Sequence, residues 1–196
     1  MSNGLNADHI NVAFLNEFSL NLKLFFYLCN MNNTFNDKVE KHPLEPFISS
    51  EVNVMMIGSF PPAQSKWNME FYYPNFQNDM WRIFGLVFFD NKDYFLANNE
   101  QSFDVDLLKQ TLITKGIGIG DMGQKVIRLK NNASDKFLKI VQPLNVLELL
   151  PKIPLCHTFI TAGDKATEEL RLQFSDKIKH PPSGGCVSFT YDERDF

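Results

Sequence analysis

The residues best suited to chemistry lie between Trp67 and Trp81. This stretch reads WNMEFYYPNFQNDMW, with Tyr72 and Tyr73 flanked by Asn68, Asn75 and Asn78. Aromatic faces stack on a flat ring, and carboxamides both donate to and accept from its edge. Such a set suits a planar, hydrogen-bonding ligand. An amide can orient a water molecule but is no strong general base. Asp79, next to Asn78, is either a base or the cap of the helix that follows, and the cap is expected.

These side chains need a scaffold, and the preceding residues supply one. Val52–Ile57 is an apolar run of buried-strand length, broken at once by Gly58-Ser59-Phe60-Pro61-Pro62. A strand ending in Gly and Pro leaves the next loop at its carboxyl end, where ligands bind in open α/β sheets. Downstream, helical spacing of Trp81, Phe84, Val87 and Phe88 predicts a helix over 79–89, with Trp81 as a core anchor. A second helix is expected over 104–115, capped by Asp104, faced by Leu107, Leu108 and Leu112, and ended by Gly116. Residues 116–121 form a second strand lined with small residues. Their formal GxGxxG lacks the strand-before, helix-after context of a dinucleotide site. A short helix follows at 143–150. A third strand, 156–162, leads through Gly163 into a helix over 164–174, with Ala166, Leu170 and Phe174 inward. Residues 186–191 alternate like a strand, and Asp192-Glu193-Arg194-Asp195 begins a hairpin turn. The expected fold is α/β, a three-layer α/β/α sandwich with a mainly parallel central sheet.

The segment 124–141 is the most basic, carrying Lys125, Arg128, Lys130, Lys136 and Lys139 against Asp135 alone. It reads equally as a face for a phosphate backbone or as a solvated surface. Asn132–Asp135 offers a cap for a helix running to Ile140. His42, beside Pro43, reads as a surface residue; His157, opening the third strand, as a hydrogen-bonded core residue.

GSFPP followed by FYYPNFQNDMW resembles the first motif region of the uracil-DNA glycosylase superfamily, nearest its mismatch-specific and hypoxanthine (deoxyinosine) branches. Their pattern is a strand, a Gly-x-x-Pro loop, an aromatic, then Asn-x-Phe-Trp. The resemblance extends more weakly from Val52 to about Phe189. It implies cofactor-free, metal-free hydrolysis of the N-glycosidic bond of a deaminated base, uracil or hypoxanthine, in DNA, by a monomer. It implies that Tyr73 stacks on the base, that Gly58, Ser59 and Phe60 form the loop facing it, and that Asn78 is catalytic. The loop after Gly163 resembles the superfamily's loop after its third strand. The sequence departs from the pattern at three places. Phe60 stands where the mismatch-specific branch carries Asn, Asn75-Phe76 replaces the usual His-Pro, and Met80 replaces Phe. The second, Ser-rich motif is absent, so the 51–196 domain is expected to be C-terminally incomplete, lacking its last strand. An inactive or truncated member, and a small-molecule nucleobase or nucleotide enzyme, are the alternatives.

Composition bounds these readings. The 196 residues, 44% hydrophobic, fit one globular domain. A net charge of −4 and a pI near 5.6 argue against general charge-driven coating of DNA. Cys29, Cys156 and Cys186 form no CxxC pair, so neither a zinc site nor a four-cysteine iron–sulfur site is expected. Free thiols suit a reducing cytoplasm. No apolar run reaches transmembrane length. Residues 1–50 read as an N-terminal extension, with an apolar helix or arm in 1–30, an alternative start at Met31, and a short helix at 36–41.

Overall fold

The computed structural model describes residues 38–98, 101–129 and 134–196. The expectations for residues 1–30 and Met31 lie outside them. The elements in chain order are β1 (Val39–Lys41), β2 (Val54–Gly58), α1 (Met80–Phe89), α2 (Val105–Thr114), β3 (Ile117–Asp121), β4 (Gly123–Arg128), β5 (Leu138–Pro143), α3 (Val146–Leu149), β6 (Thr158–Thr161), α4 (Asp164–Phe174), β7 (Thr190–Tyr191) and β8 (Arg194–Asp195).

The centre is a parallel sheet of order β3-β2-β6. Its middle strand VMMIG is apolar on both faces, as a strand covered on both sides must be. Met56 enters a core with Trp81 and Phe84 of α1 and Leu108 and Leu112 of α2. Met55 and Ile57 point the other way, into a core with Val146 and Leu149 of α3 and Ala166 and Leu170 of α4. The three-layer α/β arrangement therefore follows from the two-residue alternation of β2. Gly118 and Gly120 lie inside β3, as expected. A side chain on Gly118 would meet the Met55 sulfur at 2.7 Å, so the glycine lets the two strands and their residues close up.

Capping chemistry matches the sequence at α2. The Asp104 carboxylate accepts from the Leu107 N–H at 3.0 Å, and Gly116 turns out of the helix with φ of 64°. At α1 it differs. The Asp79 side chain makes no cap bond; Asn78 Oδ1 accepts from the Met80 N–H at 2.8 Å instead. Val87, expected on the inner face, is 68% exposed.

The basic segment departs most from expectation. Among its described residues only Asp135–Phe137 makes a helical turn, and Leu138–Pro143 is a strand. β5 pairs antiparallel with β4, and β4 with β1, so the run expected as helix before Ile140 and residues 39–41, expected to close a short helix over 36–41, are strands of a second sheet. Alternation explains it. Val126, Leu138 and Ile140 point inward, while Lys125 and Lys139 point out, and cross-strand packing overrides local helical propensity. The C-terminal strand is shorter than 186–191. β7 and β8 form a hairpin through Asp192 and Glu193, with φ of 48° and 61°. Among the described residues, no helix is long and apolar enough to cross a membrane.

Trp81 ties the first core together. It is fully buried, its ring lies 5.9 Å from that of Phe71, and its indole N–H donates to the Tyr72 carbonyl at 3.0 Å. Trp81→Ala should destabilise by about 3–5 kcal/mol through the cavity it leaves. Trp81→Phe should cost less, losing mainly volume and the hydrogen bond. Denaturant unfolding of the two variants measures both, and equal losses would show that the ring's bulk is not what matters.

Candidate active site

A cleft of about 410 Å³ opens at the carboxyl ends of β2, β3 and β6. In the parallel register Gly58 of β2 stands directly opposite Asp121 of β3, and Ile57 opposite Thr161 of β6. The loop after β2 contributes Gly58, Ser59, Phe60 and Pro61. The aromatic segment contributes Tyr73, Asn75, Gln77 and Asn78. Asp121, Asp135 and Ala162 line it as well. Gly58, Ser59, Phe60, Tyr73 and Asn78, all singled out from the sequence, thus share one cleft.

Two carboxylates in that cleft escaped the sequence reading. Asp121 is 6% exposed. Its Oδ2 lies 3.0 Å from His42 Nε2. His42 is buried as well, correcting its expected surface position, and its Nδ1 sits against the Leu44 backbone, 3.1 Å from N and 2.6 Å from O. The imidazole is walled by Phe60, edge-on at 5.3 Å, and by Tyr72 at 5.9 Å. His157, expected in the core, is exposed and meets Thr158 Oγ1 at 2.9 Å. The two histidines have exchanged environments relative to expectation. Asp121 was detectable, because it ends a strand at the same sheet edge as Gly58. His42 had no local signal.

Gly58 makes room for this arrangement. A Cβ there would lie 2.2 Å from Asp121 Oδ1 and 3.4 Å from the Tyr73 hydroxyl oxygen, so only glycine lets the carboxylate lie across the strand end. Asp135, partly exposed, is held at the cleft by Ser59, whose hydroxyl donates to Oδ2 at 2.8 Å. The same oxygen would lie 2.9 Å from a Cβ on Gly163, which opens α4 with φ of 106°. Gly163 is therefore needed twice, for its backbone and for its missing side chain.

Tyr73 adopts φ of 50°, a left-handed conformation uncommon for an aromatic residue. Its ring stands edge-on to Trp81 at 6.0 Å. Its hydroxyl is buried and has no hydrogen-bond partner among the described residues. Burial first, and the Asp121 charge second, push the Tyr73 phenol well above its ordinary range, so it stays protonated. Asn78 is exposed at the cleft lip. With Oδ1 accepting from Met80, its Nδ2 group is the part turned to other uses.

The expected phosphate-contacting residues divide. Lys125 is exposed, and the strand register places it on one outward face with Lys41 and Lys139. Arg128 is engaged internally. Its Nε donates to both Glu40 oxygens at 3.0 Å, its Nη2 donates to the Pro61 carbonyl at 2.6 Å, and its guanidinium lies 5.1 Å from the Phe60 ring centre. With 7% of its side chain exposed, Arg128 braces the Phe60–Pro61 loop and is not presented to a phosphate. Lys130 lies outside the described residues. Among the described residues, no group of three His, Cys, Asp or Glu side chains could hold a metal ion.

No protein-family model matches this chain, and no curated protein does. Among solved structures it is similar to a solution NMR structure described as that of "a putative Uracil DNA glycosylase from Methanosarcina acetivorans". The identity is 23%, over 69% of this chain and 76% of that one, with a TM-score of 0.50. The likeness is one of fold, and the chain has a uracil-DNA-glycosylase-like α/β fold.

Proposed function

We propose that this protein hydrolyses the N-glycosidic bond of a deaminated base in DNA. The observation that carries the reading is the cleft at the strands' carboxyl ends, where an aromatic ring, an amide and two carboxylates converge in a uracil-DNA-glycosylase-like fold. A base in duplex DNA must leave the stack to enter such a cleft. As the bond breaks, its electron pair moves to the base nitrogen and positive charge develops on the sugar. Asp135, at the cleft and oriented by Ser59, suits the sugar side. Its carboxylate stabilises that charge and takes a proton from the attacking water. The Nδ2 group of Asn78 donates to the departing base or to the backbone beside it, a supporting role that fits an amide. The outward lysines 41, 125 and 139 supply the phosphate contacts that Arg128 does not. The monomeric state, the uracil and hypoxanthine substrates and the absence of a cofactor belong to the same proposal.

A second reading is favoured by the cleft's acidity. Two carboxylates and a net charge of −4 suit a free nucleoside better than a polyanion. Salt dependence separates the two, because phosphate contacts make affinity fall with salt whereas a neutral nucleoside is indifferent. Replacing Lys125 and Lys139 together by Ala should flatten the log–log salt slope of oligonucleotide binding by about 2. An unchanged slope places the backbone elsewhere.

The primary test is base release from single- and double-stranded oligonucleotides carrying uracil or hypoxanthine. Asp135→Asn should reduce the rate by about 10²–10⁴. Asn78→Ala should reduce it by about tenfold, the size expected for one charge-assisted hydrogen bond. Absence of release from every substrate by the intact chain refutes the hydrolytic reading.

A further inference from the structure

A second groove, of about 370 Å³, lies between the turn after α4 and the segment leading into β7. It is separate from the cleft. Gly163, which precedes α4, adjoins the cleft beside Asp135, whereas Phe174, the last residue of that helix, lines the groove. The helix rise puts about 15 Å between its two ends. The two sites also differ in charge. Among the described residues the cleft lining has two carboxylates and no Lys or Arg, and the groove lining has Lys177 and Lys179 and no carboxylate.

Lysines beside a helix carboxyl end ordinarily hold nearby carbonyls. Here Arg171 does so, its Nη1 donating to the Asp176 and Ile178 carbonyls at 3.2 and 3.0 Å. Both lysines are exposed, and among the described residues neither ammonium has a hydrogen-bond or ion-pair partner. The wall beside them is aromatic. Phe174 lies 5.0 Å from Phe189 and, edge-on, 5.2 Å from Tyr191. The three rings pack as one cluster, yet each is only half-buried and lines the groove. Ser188 adds an exposed hydroxyl with no partner among the described residues. Half-covered rings, unpaired cations and a hydroxyl on one concave surface match a ligand with a flat ring and a negative charge.

We propose that this groove binds a single nucleotide, its base against the Phe174, Phe189 and Tyr191 rings and its phosphate against Lys177 and Lys179. The Ser188 hydroxyl serves the sugar or the base edge. Stacking is tolerant of base identity, so purine and pyrimidine are both accepted. A free nucleoside monophosphate and one nucleotide of an unpaired strand share this chemistry. The inference does not rest on the base-excision reading, because none of these residues belongs to the cleft.

The test is titration of ¹⁵N-labelled protein with adenosine 5′-monophosphate, adenosine, inorganic phosphate and a short oligothymidylate, reading amide shifts residue by residue. The monophosphate should shift the amides of Lys177, Ile178, Ser188 and Tyr191. It should bind about tenfold more tightly than adenosine or phosphate. Replacing Lys177 and Lys179 together by Ala should weaken it by about tenfold. Tyr191→Leu should weaken it by about fivefold or more, through loss of the ring. Asn78→Ala and Asp135→Asn, in the cleft, should leave the groove shifts unchanged. Tighter binding of the oligothymidylate at the same amides assigns the site to an unpaired strand, and equal or weaker binding assigns it to the free nucleotide. Thermal unfolding identifies a variant that fails to fold, and the double lysine variant, which removes only exposed side chains, then decides. Shifts confined to cleft residues such as Ser59, Tyr73 and Asn78 overturn the inference. So does an undiminished affinity in the folded double lysine variant. Absence of base release in the separate turnover assay refutes the hydrolytic reading alone.

Discussion

Gly58 and Asp121 stand opposite each other at the carboxyl ends of two adjacent parallel strands, and most of the cleft follows from that opposition. A carboxylate at a buried strand end must find hydrogen bonds or be strongly disfavoured. Room for it exists only because residue 58 has no side chain. Its partner, His42, comes from a segment far away in sequence. That histidine must itself be held, by the Leu44 backbone and between the Phe60 and Tyr72 rings. A single buried charge thus ties the stretch before β2 to the sheet, and to the loop that forms one wall of the cleft.

Further tethers act on the same loop. Arg128 grips the Pro61 carbonyl, pairs with Glu40 and lies over Phe60, so the antiparallel sheet braces the loop from behind. Trp67 donates to the Pro62 carbonyl at 2.8 Å. Ser59 holds Asp135 across the opening, while its backbone carbonyl accepts from Gly123 at 2.9 Å. A loop anchored at consecutive residues by different elements is preorganised, which is what a site needs if binding is not to be offset by ordering its own walls. Charges that look free in the sequence are used internally here. The arginine of the basic run supports the cleft, and its outward lysines are what remain for an anionic partner.

Elements governed by local chemistry were legible in the sequence. β2 and α2 were visible in their apolar periodicity, Asp104 and Gly116 in their capping preferences, and the Gly58–Pro62 break in two prolines that cannot continue a strand. The grouping of Gly58, Phe60, Tyr73 and Asn78 was what the family resemblance implied, and it agrees with the rule that loops at the carboxyl ends of parallel strands share a sheet edge. The same rule, applied to the strand ending at Asp121, would have found the second wall. The basic segment was misread for a different reason. Its lysines and apolar residues fit a helix and a strand almost equally well over so short a run, and only pairing with β1 and β4 selects the strand.

What the sequence determined by itself was therefore the order of the parallel strands β2, β3 and β6 and the helices α1 to α4 among them, the break points between these elements, and which loops could meet a ligand. Each of these depends on residues only a few positions apart. Tertiary structure alone decided which charges are buried. His42 and Asp121 are 79 positions apart and Ser59 and Asp135 are 76 apart, and nothing near any of them in the chain announces its partner. Desolvation is a property of the surrounding packed atoms, and a hydrogen bond is a property of two positions at once. A histidine beside a proline reads as surface until a carboxylate from another strand gives it a reason to be inside.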